Sequence, residues 1–259
     1  MRTLVLIPTY NERANLAGIV GRLRAAVPAA DVLVLDDNSP DGTGALADEL
    51  AAADGQVHVV HRTAKQGLGP AYLAGFDWGL ERGYDLLVEM DADGSHQPEQ
   101  LPALLAVMER EPAVGLVIGS RWVSGGSVVN WPRYRKALSV GANYYTRLLL
   151  GMQVHDATAG YRVYRASTLR AMSLREVASQ GYCFQVDLTW RTSKDGHQIV
   201  EVPIEFVERE VGDSKMSPAI VRESLYRILS WGAKHRLGQA RSVVASARRG
   251  TMTERWHSL

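Results

Sequence analysis

One cysteine, Cys183, stands in a chain of 259 residues. An intramolecular disulfide is therefore impossible, a cysteine-built zinc cluster is excluded, and a reducing compartment suits such a chain. A charge excess is missing too: 29 basic residues meet 28 acidic ones for a net charge of +1, so no polyanion-binding signature exists and nucleic acid is not an expected partner. Nowhere does the chain show the roughly 18 uncharged apolar residues of a membrane span. The opening MRTLVLIPTYNER has one early basic residue and an apolar stretch shorter than a signal peptide needs. Internal repeats and low-complexity linkers are also lacking. The expectation is a globular chain, not itself transmembrane, in the cytoplasm, with a hydrophobic content of 46% ample for one large core.

What is present is alternation. Thr3–Ile7, Asp31–Leu35, Val57–His61, Leu86–Met90 and Val114–Gly119 read as buried strands, rich in β-branched residues and leucine. Between them Ala14–Ala26, Thr43–Ala53, Pro70–Arg82 and Pro98–Arg110 have helical spacing. Such repetition predicts an α/β fold with a mostly parallel sheet and helices on both faces, whose ligands bind beyond the carboxyl ends of the strands. Five polar loops fall at those ends: PTYNE, DDNSPDGT, RTAKQGLG, DADGS and SRWVSGG. Further on, Tyr134–Leu150 and Phe184–Lys194 read as helices, HDATAGYRVY as a loop entering a strand, and Ile199–Val207 as a strand that Pro203 confines to an edge. A final helix is expected over Pro218–Leu237, with a basic tail from 238 to 259.

The fourth loop poses the chemical question. Asp91-Ala92-Asp93 ends a buried strand with two carboxylates, which point the same way if extended geometry persists to Asp93. Like charges held together favour a cation between them, and hard divalent ions are held by one or two carboxylates plus substrate phosphates. The alternative is a turn at Asp93-Gly94 that caps the next helix. Gly42, Gly44 and Ala47 fit the G-x-G-x-x-A dinucleotide pattern, but the first glycine lies six residues past Asp36, and His61 and Arg62 stand where an acid should end the next strand. Gly42 and Thr43 therefore read as a turn and a helix cap. Asp36 and Asp37 read either as caps or as acceptors for a ribose or base.

Taken together, LIPTYNE, LVLDDNSPDGT, KQGLGPAY, EMDADGSHQPE, GSRWVSGG, HDATAGYRVY and VPIEFVEREVGDSK resemble, in order and spacing, the polyprenyl-phosphate (dolichyl-phosphate) mannosyltransferases of glycosyltransferase family 2, over about residues 3–237. The resemblance implies a GT-A fold, a Rossmann-like sheet with a C-terminal amphipathic helix. It implies one catalytic domain over 1–237, with a nucleotide-sugar half to about 120 and an acceptor half beyond. Pro8, Tyr10, Glu12 and Asp37 would line the pocket of a donor expected to be GDP-mannose. Asp91 and Asp93 would hold Mg²⁺ or Mn²⁺ against the donor diphosphate, with Ala92 behind the nucleotide. Some relatives place a glutamine ligand where this chain has Ser95, and serine reaches less far. Arg121, Arg135 and Ser139 would receive the phosphate of a polyprenyl phosphate, while Arg209, Ser214 and Lys215 would close on the donor phosphates.

These implications make a metal-dependent, inverting enzyme. A lipid monophosphate is largely ionised at neutral pH, so it needs no general base, and neither His96 nor His155 is expected to be catalytic. Seven basic residues between Arg222 and Arg249 face one acid, Glu223, and Val221, Leu225, Ile228 or Leu229 recur at helical spacing. That suits an anionic membrane surface, on its cytoplasmic face, with a separate membrane protein as a further anchor. Two alternatives stay open: a UDP-glucose or other nucleotide-sugar donor, and a non-catalytic sugar-nucleotide-binding subunit of a membrane complex.

Overall fold

The computed structural model describes residues 1–174, 177, 182–208, 222, 225–233 and 236. The expected alternation is present: β1 Thr3–Thr9, α1 Arg13–Ala26, β2 Asp31–Asp36, α2 Thr43–Ala53, β3 Val57–His61, α3 Leu68–Glu81, β4 Leu86–Glu89, α4 Leu101–Arg110 and β5 Val114–Ser120. There follow β6 Ser127–Val129, α5 Arg133–Leu150, β7 Arg162–Arg165, α6 Ala166–Ala171, α7 Tyr182–Lys194, β8 Gln198–Pro203 and β9 Glu205–Val207. Seven strands form one sheet in the order β3-β2-β1-β4-β7-β5-β8. The short runs of Val, Leu and Ile form strands because both faces are covered, so every position can be apolar.

The two faces divide cleanly. Val5, Ile7, Val32, Val34 and Val88 pack with Leu16, Ile19 and Leu23 of α1 and Leu101 and Leu104 of α4. Leu4, Leu6, Leu33, Leu35 and Leu87 pack on the other side with Tyr72 and Phe76 of α3 and Phe184 and Leu188 of α7. Each such side chain, when fully buried, contributes about 1.5–3 kcal/mol.

The sheet is mostly parallel, as expected, and within it β7 runs antiparallel between β4 and β5. Its chain arrives through the loop after α5, so it enters the sheet from the ligand edge. Two expectations need correction. The stretch 199–207 is two strands, not one. β8 pairs with β5 at the edge and ends at Pro203, whose ring cannot donate to a ladder, and β9 joins β6 in a separate two-stranded sheet. Thr43 is also not the cap of α2; Asp41 Oδ1 accepts its N–H (3.0 Å) and its hydroxyl (2.6 Å), and Gly42 precedes the helix at φ 88°. The tail from 238 lies outside the described residues.

Candidate active site

At the ends of β1, β2 and β3 the polar loops hold one another. Asp36 accepts from the Ser39 N–H (3.1 Å) and hydroxyl (2.6 Å). Asp37, 5% exposed, pairs with Arg62 and accepts the Gln66 N–H at 3.3 Å, joining the second loop to the third. Tyr10 lies under the Lys65 ammonium, 4.0 Å from its ring centre. The Glu12 N–H donates to Thr43 Oγ1 at 3.0 Å, and its carboxylate accepts from Asn15 at 2.9 Å. Pro8, Tyr10, Glu12 and Asp37 therefore share one edge, with Asp37 already neutralised by Arg62.

β4 ends at Glu89, so Asp91 and Asp93 sit on a loop and not on the strand. Gly94 takes φ 76°, and Asp93 Oδ1 accepts the Ser95 N–H at 3.0 Å, which makes the turn. Both aspartates are partly exposed, while Ala92 and Ser95 are buried. Tyr72 O–H reaches Asp91 Oδ1 at 3.5 Å; burial first, and Asp91 beside it, push its phenol pKa up. Below the pair, Glu89 is fully buried, accepts from Gln185 at 2.7 Å and is pushed by burial up to about 8.

His96 ties this loop to the small sheet. Its Nδ1 accepts the Asp91 N–H at 3.0 Å. The ring stacks on Tyr161 (5.0 Å) and meets Phe206 edge-on (5.5 Å). A Cβ at Gly160 would come within 3.2 Å of the ring, so glycine permits the close approach. Burial lowers the imidazole pKa, which keeps Nδ1 an acceptor.

The side of the site formed by α5 and the loop after β5 is built from ion pairs. Arg121, 6% exposed, gives a bidentate contact to Asp156 through Nε and Nη2 (2.7 Å each) and donates to Thr158 Oγ1 at 3.0 Å. Burial raises the Asp156 pKa, but the Arg121 charge and hydrogen bonds outweigh it and hold the carboxyl below its usual range. Asn143 of α5 donates to Asp156 (3.3 Å), to Thr158 (3.2 Å) and to the Ser139 carbonyl (3.1 Å). One turn before Ser139, Arg135 pairs with Glu208 and lies 4.1 Å over the Trp131 ring. Arg121, Arg135 and Ser139 thus border one region. Asp156, Asn143, Glu208, Trp131 and His96 were not anticipated; HDATAG was visible as a motif, but nothing marked its Asp156 as the partner of Arg121. Arg209, Ser214 and Lys215 lie outside the described residues.

Among the described residues no group of three or more His, Cys, Asp or Glu side chains is placed to hold a metal. The donor set that fits a cation is Asp91 with Asp93, two hard oxygen ligands that leave further positions for phosphate and water.

A mostly parallel sheet with a carboxylate pair just beyond its fourth strand is the GT-A arrangement of nucleotide-sugar glycosyltransferases. The chain belongs to glycosyl transferase family 2, whose profile matches residues 4–172. It is 60% identical over 244 residues to a polyprenol monophosphomannose synthase of Mycolicibacterium smegmatis, covering 94% of this chain and 91% of that one. It is 61% identical to an undecaprenyl-phosphate mannosyltransferase of Micrococcus luteus, covering 90% and 94%. Among solved structures, the glucosyl-3-phosphoglycerate synthase of Mycobacterium tuberculosis in complex with Mn²⁺, UDP-glucose and phosphoglyceric acid superposes with a TM-score of 0.67 at 20% identity, over 90% of this chain and 80% of that one. The mannosyl-3-phosphoglycerate synthase of Rubrobacter xylanophilus does so at 0.60 and 19%, over 93% and 75%. At those identities the likeness is one of fold.

Proposed function

We propose that the enzyme transfers mannose from GDP-mannose to a polyprenyl monophosphate and inverts the anomeric centre. The observation that carries this reading is the 60–61% identity, across nine-tenths or more of both chains, to two relatives named for polyprenyl-phosphate mannosyl transfer. An acceptor phosphate oxygen attacks the anomeric carbon as the bond to the donor diphosphate breaks, so one displacement turns an α-linked donor into a β-linked product. The nucleophile is already an anion, which fits a site where His96 is buried and held as a hydrogen-bond acceptor.

Asp91 and Asp93 would hold the divalent cation, Mg²⁺ or Mn²⁺, which when bound supplies a Lewis acid for the diphosphate leaving group. The chain's own contributions are placement and charge. Arg135, on its Trp131 platform, would take the acceptor phosphate, a geometry that guanidinium suits better than ammonium, with Ser139 beside it. Arg121, in its bidentate pair with Asp156, would set that pocket's wall and its positive edge. Pro8, Tyr10, Glu12, Asp37 and Ala92 would line the nucleotide pocket, and Arg209, Ser214 and Lys215 would meet the donor phosphates. We place the enzyme peripherally on the cytoplasmic face of a membrane, with a separate anchoring protein as a partner. No helix among the described residues is long and apolar enough to cross one.

The test is incubation of the purified chain with undecaprenyl phosphate, Mg²⁺ and either GDP-mannose or UDP-glucose, with the glycolipid read by mass spectrometry and its anomeric configuration by NMR. A β-mannosyl lipid formed from GDP-mannose alone is expected, together with stronger competition by GDP than by UDP. A glucosyl product would replace the donor assignment. No product from any nucleotide sugar would leave a binding subunit.

A further inference from the structure

The short strand β9 is paired on both of its edges. β6 lies along one, with Val128 opposite Phe206, and the Ser127 N–H reaches the Ile204 carbonyl at 2.9 Å. Along the other, His96 bridges Phe206 in the antiparallel sense, and the Val207 N–H donates to the Ser95 carbonyl at 3.3 Å. β9 therefore joins the turn that carries Asp91 and Asp93 to the segment that leads into α5. Just beyond it the Glu208 N–H donates to the Val129 carbonyl at 3.1 Å, and the Glu208 carboxylate pairs with Arg135.

One side chain of this strand touches both sides of the site. The partly buried Phe206 ring meets the His96 ring edge-on at 5.5 Å and the Trp131 ring edge-on at 5.4 Å. It also lies 5.4 Å from the Arg121 guanidinium. His96 holds the Asp91 N–H, and Trp131 carries the Arg135 guanidinium 4.1 Å from its ring centre. Among the described residues the Trp131 indole N–H is buried and meets no acceptor, so packing against Phe206 and against Trp122 (6.5 Å) sets the plane of that ring. His96, Phe206 and Trp131 thus make a spacer of three rings, stiff because each has only two rotatable side-chain bonds, between the carboxylate pair and the arginine.

In-line transfer requires the attacking oxygen and the anomeric carbon to lie about 3–3.5 Å apart. The acceptor phosphate and the donor diphosphate are both anions and repel each other. Binding each of them well does not bring them together; the protein has to fix the separation of the two places that hold them. We propose that Phe206 is a positioning residue that sets this separation, bearing through His96 on the Asp91 turn and through Trp131 on Arg135. This role rests on the function proposed above, because it takes Asp91 and Asp93 as the cation side and Arg135 as the acceptor-phosphate side. Phe206 acts through its two neighbouring rings and needs no contact with either substrate.

The experiment compares wild type with Phe206→Leu and with Phe206→Met in the full chain. Both are apolar changes that keep the backbone pairing of β9, the methionine being the milder in volume, and thermal unfolding checks the fold. With GDP-mannose, Mg²⁺ and a short, water-soluble prenyl phosphate, kcat for transfer should fall by about 10²-fold in the leucine variant. The KM for each substrate, GDP binding by calorimetry and any hydrolysis of GDP-mannose without acceptor should stay close to wild type, because each half of the site is left whole. A second readout needs no turnover. Mn²⁺ bound at the carboxylate pair relaxes the ³¹P signal of the bound prenyl phosphate, with a steep dependence on their distance, and this relaxation should differ between wild type and both variants. Folded variants with wild-type kcat or wild-type ³¹P relaxation overturn the proposal. So does a loss carried wholly by the KM of one substrate, since Phe206 would then build a pocket and not a spacing, and so does an absence of ³¹P relaxation in wild type. A wild type that transfers no sugar would instead remove the proposed function, and the ³¹P comparison would still decide whether Phe206 sets the spacing.

Discussion

The two edges of the site are organised on different length scales. On the proposed donor edge Asp36, Asp91 and Asp93 are set by near neighbours: Ser39 reaches Asp36 across three residues, Ser95 reaches Asp93 across two, and His96 takes the Asp91 N–H across five, while Asp37 pairs with Arg62 25 residues on. On the proposed acceptor edge the cations are set by distant acids. Arg121 and Asp156 are 35 residues apart, and Arg135 and Glu208 are 73 apart. The first arrangement keeps two carboxylates partly exposed on a tight turn, where a cation and a diphosphate can meet them. The second holds positive charge in balance until an anion arrives. Within it the pairs also differ: the Arg121–Asp156 side chains are 6% and 0% exposed, against 15% and 24% for Arg135–Glu208. A fully buried pair costs much to open, so under the proposed function the pair that exchanges its carboxylate for a phosphate is Arg135–Glu208.

The largest effect should come from the donor edge. Asp93→Asn removes one of two hard ligands and should lower transfer by about 10³-fold or more, equivalent to about 4 kcal/mol. The fold should survive, because Asp93 is partly exposed and asparagine can still accept the Ser95 N–H. Rate measurements across a Mg²⁺ titration, with thermal unfolding alongside, check both halves. Normal turnover by this variant in the presence of a chelator would remove the metal assignment.

On the acceptor edge the buried pair should register as stability. Asp156→Asn leaves the Arg121 guanidinium buried without its counter-charge and should cost about 3–5 kcal/mol at neutral pH by urea unfolding. The pH dependence follows from the lowered native pKa of Asp156. A depressed carboxyl contributes stability above its ordinary value of 3.8, and that contribution is lost as pH falls through the lower native value. Wild type and variant should therefore approach each other as the pH falls below 3.8 and converge below the lower native value. A gap that stayed constant into that range would mean that Asp156 acts by shape and not by charge.

Arg135→Ala comes next. Loss of a charge-assisted contact of about 1.5–3 kcal/mol should raise the apparent KM for the lipid phosphate about 10- to 100-fold and leave that for the nucleotide sugar nearly unchanged. Equal loss for both substrates would move Arg135 from the acceptor side into a general structural role.

Those length scales also explain what could be read from the sequence. β1 to β5 and α1 to α4 are found close to their expected limits, because a short apolar run between helical patterns is a local signal. The order of the polar loops, and with it the carboxylate pair, is local too. The antiparallel course of β7 is not, since nothing in Arg162-Val163-Tyr164-Arg165 fixes the direction in which the strand joins its neighbours. Nor is the split of 199–207, where Pro203 marks an edge but only the partner β6 shows that Glu205–Val207 leaves the main sheet. Asp156, Asn143 and Glu208 escaped for the same reason as their partners' roles were blurred: each acquires meaning from a residue that the fold, and not the sequence spacing, sets beside it.

The smallest effect separates the two acceptor pairs most sharply. Glu208 and Arg135 are both partly exposed, and their ion pair should contribute well under what a buried one does, about 0.2–1 kcal/mol. If an incoming phosphate must displace Glu208, that energy is a cost of acceptor binding, and Glu208→Gln should remove it. The guanidinium should keep its place, because it lies 4.1 Å over Trp131 and that contact does not depend on the carboxylate. The apparent KM for the acceptor should then fall by about one- to fivefold, with kcat and the donor KM unchanged, and the gain should shrink as salt screens the pair. Initial rates over an acceptor series, at low and high ionic strength, measure it. A rise in acceptor KM would show that Glu208 aims Arg135 and is not exchanged for phosphate, and the two acceptor-side pairs would then be alike in holding their arginines fixed.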